Sequence, residues 1–339
     1  MEPPRPTRGA PNDELLDLVH LVRRELLLRE EAPTGNWVEG SATDLRTGAK
    51  SGWYYPLSSG GGLAFRSERG RASFAHVHVG PGPEALERAE ALSATLLDSL
   101  PSTVDSASVG FTGLPTDEED RLLGHLALRP GSTVIRRFAM ERGLTSGEEA
   151  PLPTIPEALT LVPIRDVTLE ALAELDQRAF RGTIDELLIG SDLAEYRRVL
   201  VALIGGDLGR FLDEASIALY RSEPPGLVGA ILTCEKSARR AVFLDFMVDP
   251  GLRGRGYGRY LLRWGLRALW ALGYERVRLW VSASNTTARR LYDSLGFLVT
   301  HTAVIYRWDR EPVAPQAHSE RYGQSANIHS GHRGSPRGD

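Results

Sequence analysis

A repeat constrains this chain more than any other feature. Val79-Gly80-Pro81-Gly82 and Val248-Asp249-Pro250-Gly251 lie 169 positions apart, and Leu128 and Phe297, each closing a helix and turn, keep the same spacing. Between these anchors both halves read helix, strand, helix. Ser132 to Met140 then matches His301 to Trp308 as a closing strand. Self-similarity on this scale implies two copies of a single fold. With 339 residues the chain is long enough for two domains, each burying its own core.

Only the second copy carries an obvious chemical device. The apolar run Ala241 to Val248 breaks at a Pro-Gly turn and re-emerges as a helix, so Gly254, Gly256 and Gly258 fall at a strand-to-helix junction. Glycines at alternate positions keep Cβ atoms out of the way, and backbone N–H groups at the helix start can converge on one anion. Arg253 and Arg255 add positive charge, so the loop reads as a cradle for a phosphate or pyrophosphate. A P-loop is excluded, because Tyr257-Gly258-Arg259 stands where Gly-Lys-Ser or Gly-Lys-Thr is required. The glycine spacing also departs from the dinucleotide fingerprint. In the first copy the same place is Glu84-Ala85-Leu86-Glu87-Arg88-Ala89, a sound helix start with carboxylates where phosphates would lie.

Arg253-Gly254-Arg255-Gly256-Tyr257-Gly258 resembles the acyl-CoA pyrophosphate loop of the GNAT N-acetyltransferase superfamily. The block from Asn285 to Phe297, with an Asn opening a helix, Tyr292 near its end and a Gly-Phe closing it, resembles that family's second signature. The resemblance implies an α/β (α+β) fold of two tandem GNAT-like domains, each a mixed, mostly antiparallel central sheet flanked by helices. The expected boundaries are a leader over 1–13, a degenerate copy over 14–142, a Pro-rich linker over 143–158, an acyltransferase copy over 159–310 and a disordered tail over 311–339. With Leu123 in place of Tyr292 and Thr116 in place of Asn285, the first copy is expected to bind no CoA.

The family also implies the site. Acetyl-CoA is the expected co-substrate, held by the loop residues 253–258, by backbone groups of Met247 and Val248, and by Asn285. The strand Phe243 to Val248 is expected to splay from Arg278 to Val281 and pair with the pantetheine arm through its exposed backbone. Tyr292 matches the family's general acid; a phenol near pKa ~10 is protonated at neutral pH and can donate to a leaving thiolate. A base is needed because an alkyl amine is mostly ammonium in water. Asp245, alone among large apolar neighbours, is the candidate, with a structural carboxylate paired to an arginine as the equal alternative. Glu235 and Asp249 are weaker candidates. No metal is expected. The acceptor is a small-molecule or peptide amine, with its identity and the choice between monomer and homodimer left open.

Composition removes other classes. A net charge of −4 argues against nucleic-acid affinity, and Arg255, Arg259, Arg263 and Arg267 read as a solvated helix face. Cys234, the single cysteine, rules out an intrachain disulfide and reads as a buried thiol. No run approaches membrane-spanning length, so neither a membrane partner nor a location other than the cytoplasm is expected. His76 and His78 share one face of a strand and read as half-exposed polar positions. The competing reading is an acyl-CoA-binding sensor or scaffold without chemistry, against which the retention of both Asn285 and Tyr292 argues.

Overall fold

The computed structural model describes residues 7–8, 51–55, 61–69, 72–153 and 159–310. The expected leader beyond Thr7–Arg8, residues 14–50 of the expected degenerate copy, residues 154–158 of the expected linker and the tail lie outside the described residues. In the first half run β1 (Thr7–Arg8), β2 (Ser51–Tyr55), β3 (Gly62–Arg69), β4 (Ala72–Val79), α1 (Ala85–Asp98), β5 (Ser106–Thr112), α2 (Thr116–Leu126) and β6 (Ser132–Gly143). The second half runs β7 (Leu159–Pro163), α3 (Leu169–Phe180), α4 (Glu186–Ile189), α5 (Leu193–Gly205), β8 (Arg210–Phe211), β9 (Ile217–Arg221) and β10 (Gly226–Ser237). It continues through β11 (Arg240–Val248), α6 (Tyr257–Ala271), β12 (Arg276–Ser282), α7 (Thr286–Ser294) and β13 (Leu298–Asp309). The repeat is therefore visible element by element from β4 to β6 and from β11 to β13.

Local chemistry sets the helix limits. Thr168 caps α3 by accepting the Ala171 amide at 3.3 Å, and Asp192 caps α5 by accepting that of Ala194 at 3.2 Å. Along α6, Leu261, Leu262, Leu266 and Leu269 are fully buried against the sheet, while Arg259 and Arg267, with Arg255 just before the helix, are exposed and Arg263 is half-buried.

The described strands form one sheet in the order β1-β2-β3-β4-β5-β13-β6-β12-β11-β10-β9-β7, with β8 paired to β10. Its pairs are antiparallel except β4 with β5 and β11 with β12. The centre of that order is an exchange. The first half's closing strand, β6, lies beside the second half's β12, and the second half's closing strand, β13, lies beside the first half's β5. β6 and β13 pair with each other between them. The cores are shared accordingly: Tyr306 and Trp308 of β13 sit in the core under α1 and α2, and Met140 of β6 sits in the core under α6.

Two expectations need correction. The linker was placed from Gly143, yet β6 runs through Gly143, Leu144 is buried, and its amide donates to the Glu275 carbonyl at 2.8 Å. The following turn also packs on α6, where Trp270 Nε1 donates to Glu149 at 3.2 Å. An apolar side chain and an available edge extend the strand past the point where composition becomes loop-like. His76 and His78 are buried, not half-exposed, because both rings meet the Thr112 hydroxyl, at 2.8 and 3.0 Å. One hydroxyl on the neighbouring strand serves two imidazoles.

Candidate active site

The two halves differ most where β4 meets β5 and β11 meets β12. In the first half the parallel pair runs unbroken from Ala72↔Ser106 to His78↔Thr112. In the second it stops at Phe243↔Leu279, although β11 continues to Val248 and β12 to Ser282. Beyond that point β11 keeps its other partner, with Met247 opposite Ala230 and Val248 opposite Gly229 on β10. Among the described residues no strand pairs with β11 on its β12 side there. A register shift between Leu232 and Thr233 of β10 makes Leu244 an extra residue in β11. Such a bulge re-aims the side chains after it. Phe246 and Val248 pack toward α6, Met247 is buried against α3 and α5, and Asp245 confronts Asp176 of α3.

The glycine loop lies at the end of β11. Asp249 closes the turn by accepting the Gly251 amide at 3.0 Å and is paired with Arg178 at 3.2 Å. Gly254 and Gly256 have φ of 80° and 87°, which an L side chain adopts only with strain, and a Cβ at either would meet nothing within 4 Å. The space beside both positions is therefore open. Gly256 is the N-cap of α6 and supplies no side-chain acceptor to the first amides of the helix. Among the expected loop ligands the structure separates roles. Arg253 Nη2 donates to the Ala179 carbonyl at 2.6 Å and ties the loop to α3, whereas Tyr257 is buried in the core under α6. Gly258 serves close packing, since a Cβ there would lie 3.3 Å from both Phe246 and Leu291. Asn285 caps α7, with Oδ1 accepting the Ala288 amide at 3.1 Å.

Tyr292 is buried on α7, with its ring 6.2 Å from Phe246 and 6.0 Å from Phe297. Burial, then Asp185 and Asp245, raise the affinity of its phenol for its proton above the usual value, so it is a neutral donor throughout the physiological range. Asp245 has its carboxyl pushed above the ordinary range by burial. Asp176 is shifted upward further, by burial and by facing Asp245. The weaker base candidates are engaged elsewhere: Glu235 accepts from Tyr274 at 2.8 Å and pairs with Arg210, and Asp249 holds the turn.

Three residues escaped the sequence reading. Asp176 lies on the apolar face of α3 with Leu172, Ala173, Leu175 and Ala179, all buried. A carboxylate at that helical spacing was the available signal. Asp185, in the break between α3 and α4, is buried and accepts the Ser282 hydroxyl at 2.6 Å. Arg137 belongs to β6, from the first half; it stands directly opposite Ser282 on β12, with Nη2 3.8 Å from Asp185. Opposed residues share a sheet face, so the exchanged strand brings a cation from one copy to the polar cluster of the other.

The first half has no such arrangement at the matching place. α1 starts at Glu84 without a side-chain cap, and Arg88 in its first turn is buried, donating to the carbonyls of Gly61 at 3.1 Å and Gly80 at 2.9 Å.

Residues 171–297 match the Acetyltransferase (GNAT) family. A mycothiol acetyltransferase of Propionibacterium freudenreichii subsp. shermanii is 30% identical over 175 residues, 51% of this chain and 52% of that protein. One of Frankia casuarinae is 30% identical over 190 residues, 50% of each. The chain thus spans about half the length of the curated relatives it matches. Among solved structures, a GCN5-related N-acetyltransferase from Sphaerobacter thermophilus superposes with a TM-score of 0.59 at 19% identity, covering 92% of this chain and 98% of that one. At these identities the structural likeness concerns the fold. No helix among the described residues is long and apolar enough to cross a membrane.

Proposed function

Because this chain is a member of the GNAT acetyltransferase superfamily, we propose that it transfers an acetyl group from acetyl-CoA to a small primary amine, with the active site in its second half. The observation that carries the reading is the parting of β11 from β12 after Phe243↔Leu279, directly before a glycine loop and beside a buried tyrosine. The residues present fit the co-substrate. The backbone of 253–258 would hold its pyrophosphate, the free edge of β11 at Met247 and Val248 its amide-bearing arm, and Asn285 the same arm through the amide nitrogen that its cap leaves over. The first half, with β4 and β5 joined throughout and Arg88 on the carbonyls behind its loop, binds no CoA and instead supplies β6.

Asp245 takes a proton from the acceptor ammonium, the electron pair left on nitrogen forms the new C–N bond, and the second proton of that nitrogen passes to solvent as the amide forms. As the C–S bond breaks, its pair leaves on sulfur, and Tyr292 gives that sulfur its phenolic proton. The desolvation that holds the proton on the phenol also raises the proton affinity of a thiolate released beside it. Exchange with solvent then resets both groups. The names of the relatives make the deacetylated form of mycothiol the first acceptor to test, alongside amino acids, aminosugars and peptide N-termini.

Calorimetric titration of acetyl-CoA into the full chain, followed by thiol-release assays across these amines, tests the reading. One site per chain with turnover on an amine supports it. Binding without turnover on any amine would favour a non-catalytic acyl-CoA sensor, and no binding removes both.

A further inference from the structure

Asp176 presents a specific problem. Its side chain is fully buried on α3, and no N–H or O–H of another described residue reaches either carboxyl oxygen. The group within hydrogen-bonding reach is another carboxyl, that of Asp245, which the bulge in β11 turns toward it. Tyr196 on α5 is also fully buried beside the pair, and its hydroxyl has no hydrogen-bond partner among the described residues. Two facing carboxyls, one fully buried and the other half-buried, oppose double ionisation, and the arrangement becomes stable when they hold one proton between them. The environments break the symmetry. Asp176 is enclosed by the apolar residues of α3 and by Tyr196, whereas Asp245 lies beside the Phe246 backbone amide and within the field of Arg137.

We propose that Asp176 is the positioning residue of the base: it stays protonated at neutral pH and donates to Asp245, keeping that half-buried carboxylate ionised and aimed at the acceptor nitrogen. The inference rests on the reading of Asp245 as the base. Around the pair stand Tyr196 from α5, Glu186 from α4, Asp185 and Arg181 from the break after α3, Tyr292 from α7 and Arg137 from β6. The negative groups among these oppose a second charge on the dyad, and Arg137 favours the single one. The proton is already present in the pair, so no further reactant is required. On catalysis the dyad passes from one negative charge to none, as Asp245 gains the proton that nitrogen loses.

The test has a ligand-free and a kinetic part. In the full chain carrying 13C-carboxyl aspartate, one carboxyl carbon should remain at its protonated shift at pH 7 and vanish from that position in Asp176→Asn. A wild-type spectrum with every aspartate ionised at pH 7 overturns the proposal without any variant. In the kinetic part, acetyl-CoA and the best amine of the screen are used to record kcat/KM against pH. Asp176→Leu, which removes the donor, should raise the acidic limb by at least one pH unit, a tenfold loss near neutrality recovered at alkaline pH. Asp176→Asn, which keeps an N–H donor, should hold the limb at its wild-type position. An unmoved limb in Asp176→Leu, or a limb lowered by a unit in Asp176→Asn, overturns the assignment. Undiminished turnover of Asp245→Asn with the protonated carboxyl still visible in the wild type would instead sink Asp245 as the base while leaving the shared proton in place.

Discussion

Arg137 of β6 and Asp185 of the α3–α4 break form an ion pair at 3.8 Å, although they come from different copies of the repeat. Ser282, opposite Arg137 in the sheet, donates to the same carboxylate at 2.6 Å. The pair lies next to Tyr292, whose phenol responds to both charges. The first half therefore reaches the candidate site through one strand, even though Glu84 to Ala89, which matches the second half's glycine loop, holds no glycine and its own parallel strands stay paired.

Removing that cation should damage catalysis and spare cofactor binding. Arg137→Met keeps the length of the side chain but leaves Asp185 with a single donor; an uncompensated buried carboxylate costs about 1–3 kcal/mol, which corresponds to roughly 5- to 150-fold in kcat/KM. Acetyl-CoA affinity measured by calorimetry should stay within about twofold, because the glycine loop is untouched. An equal loss of affinity and turnover would show that Arg137 merely supports the fold.

Tyr292→Phe separates enzyme from sensor. General acid catalysis typically contributes about 10²- to 10⁴-fold, so turnover should fall within that range while acetyl-CoA affinity persists. The ring still packs on Phe246 and Phe297, so thermal stability should change little. Unchanged thiol release would remove Tyr292 from the mechanism.

Gly256→Glu should abolish acetyl-CoA binding. It places a Cβ at φ 87°, at a strain of about 1 kcal/mol, and a carboxylate at the helix start where an anion is meant to sit. Exchanging Glu84 for Gly in the first half should leave the stoichiometry at one per chain. Two sites in the wild type would mean that the first copy is also a binding domain.

Stability should depend on pH through Asp176. Its folded pKa lies above its unfolded value, so its contribution is fully present below the ordinary carboxyl pKa of about 4 and is lost as pH rises toward the folded value. Asp176→Asn cannot ionise and escapes that loss. Urea unfolding should find the variant more stable than wild type by at least about 1 kcal/mol at pH 8, one pKa unit in free energy, with the difference closing near pH 4. A constant difference across the range would contradict the shifted ionisation.

Cys234 should be silent in the native chain. Burial pushes its thiol up to about 11, and its sulfur lies 3.7 Å from the Leu208 carbonyl. A thiol-reactive dye at pH 8 should label it only in denaturing urea. Rapid labelling of the folded protein would show that the strand carrying it, β10, opens readily.

What the sequence could determine was local or periodic. The caps at Thr168, Asp192 and Asn285, the leucine face of α6 and the glycine loop all depend on neighbours within one or two helical turns, and the repeat shows as one fixed spacing; the structure has them where the side chains put them. Tyr292 and Asp245 stood out for the same reason, as a motif tyrosine and a lone charge in an apolar strand. Asp176 was legible but passed over among the leucines of its helix. Arg137 was not legible. β6 and β13 are matching copies, and backbone hydrogen bonds join an antiparallel edge without regard to the side chains they carry, so either strand satisfies either half. Which strand lies beside β12 is decided only when the whole sheet assembles, and that choice brings Arg137 to Asp185 and makes one site out of two copies.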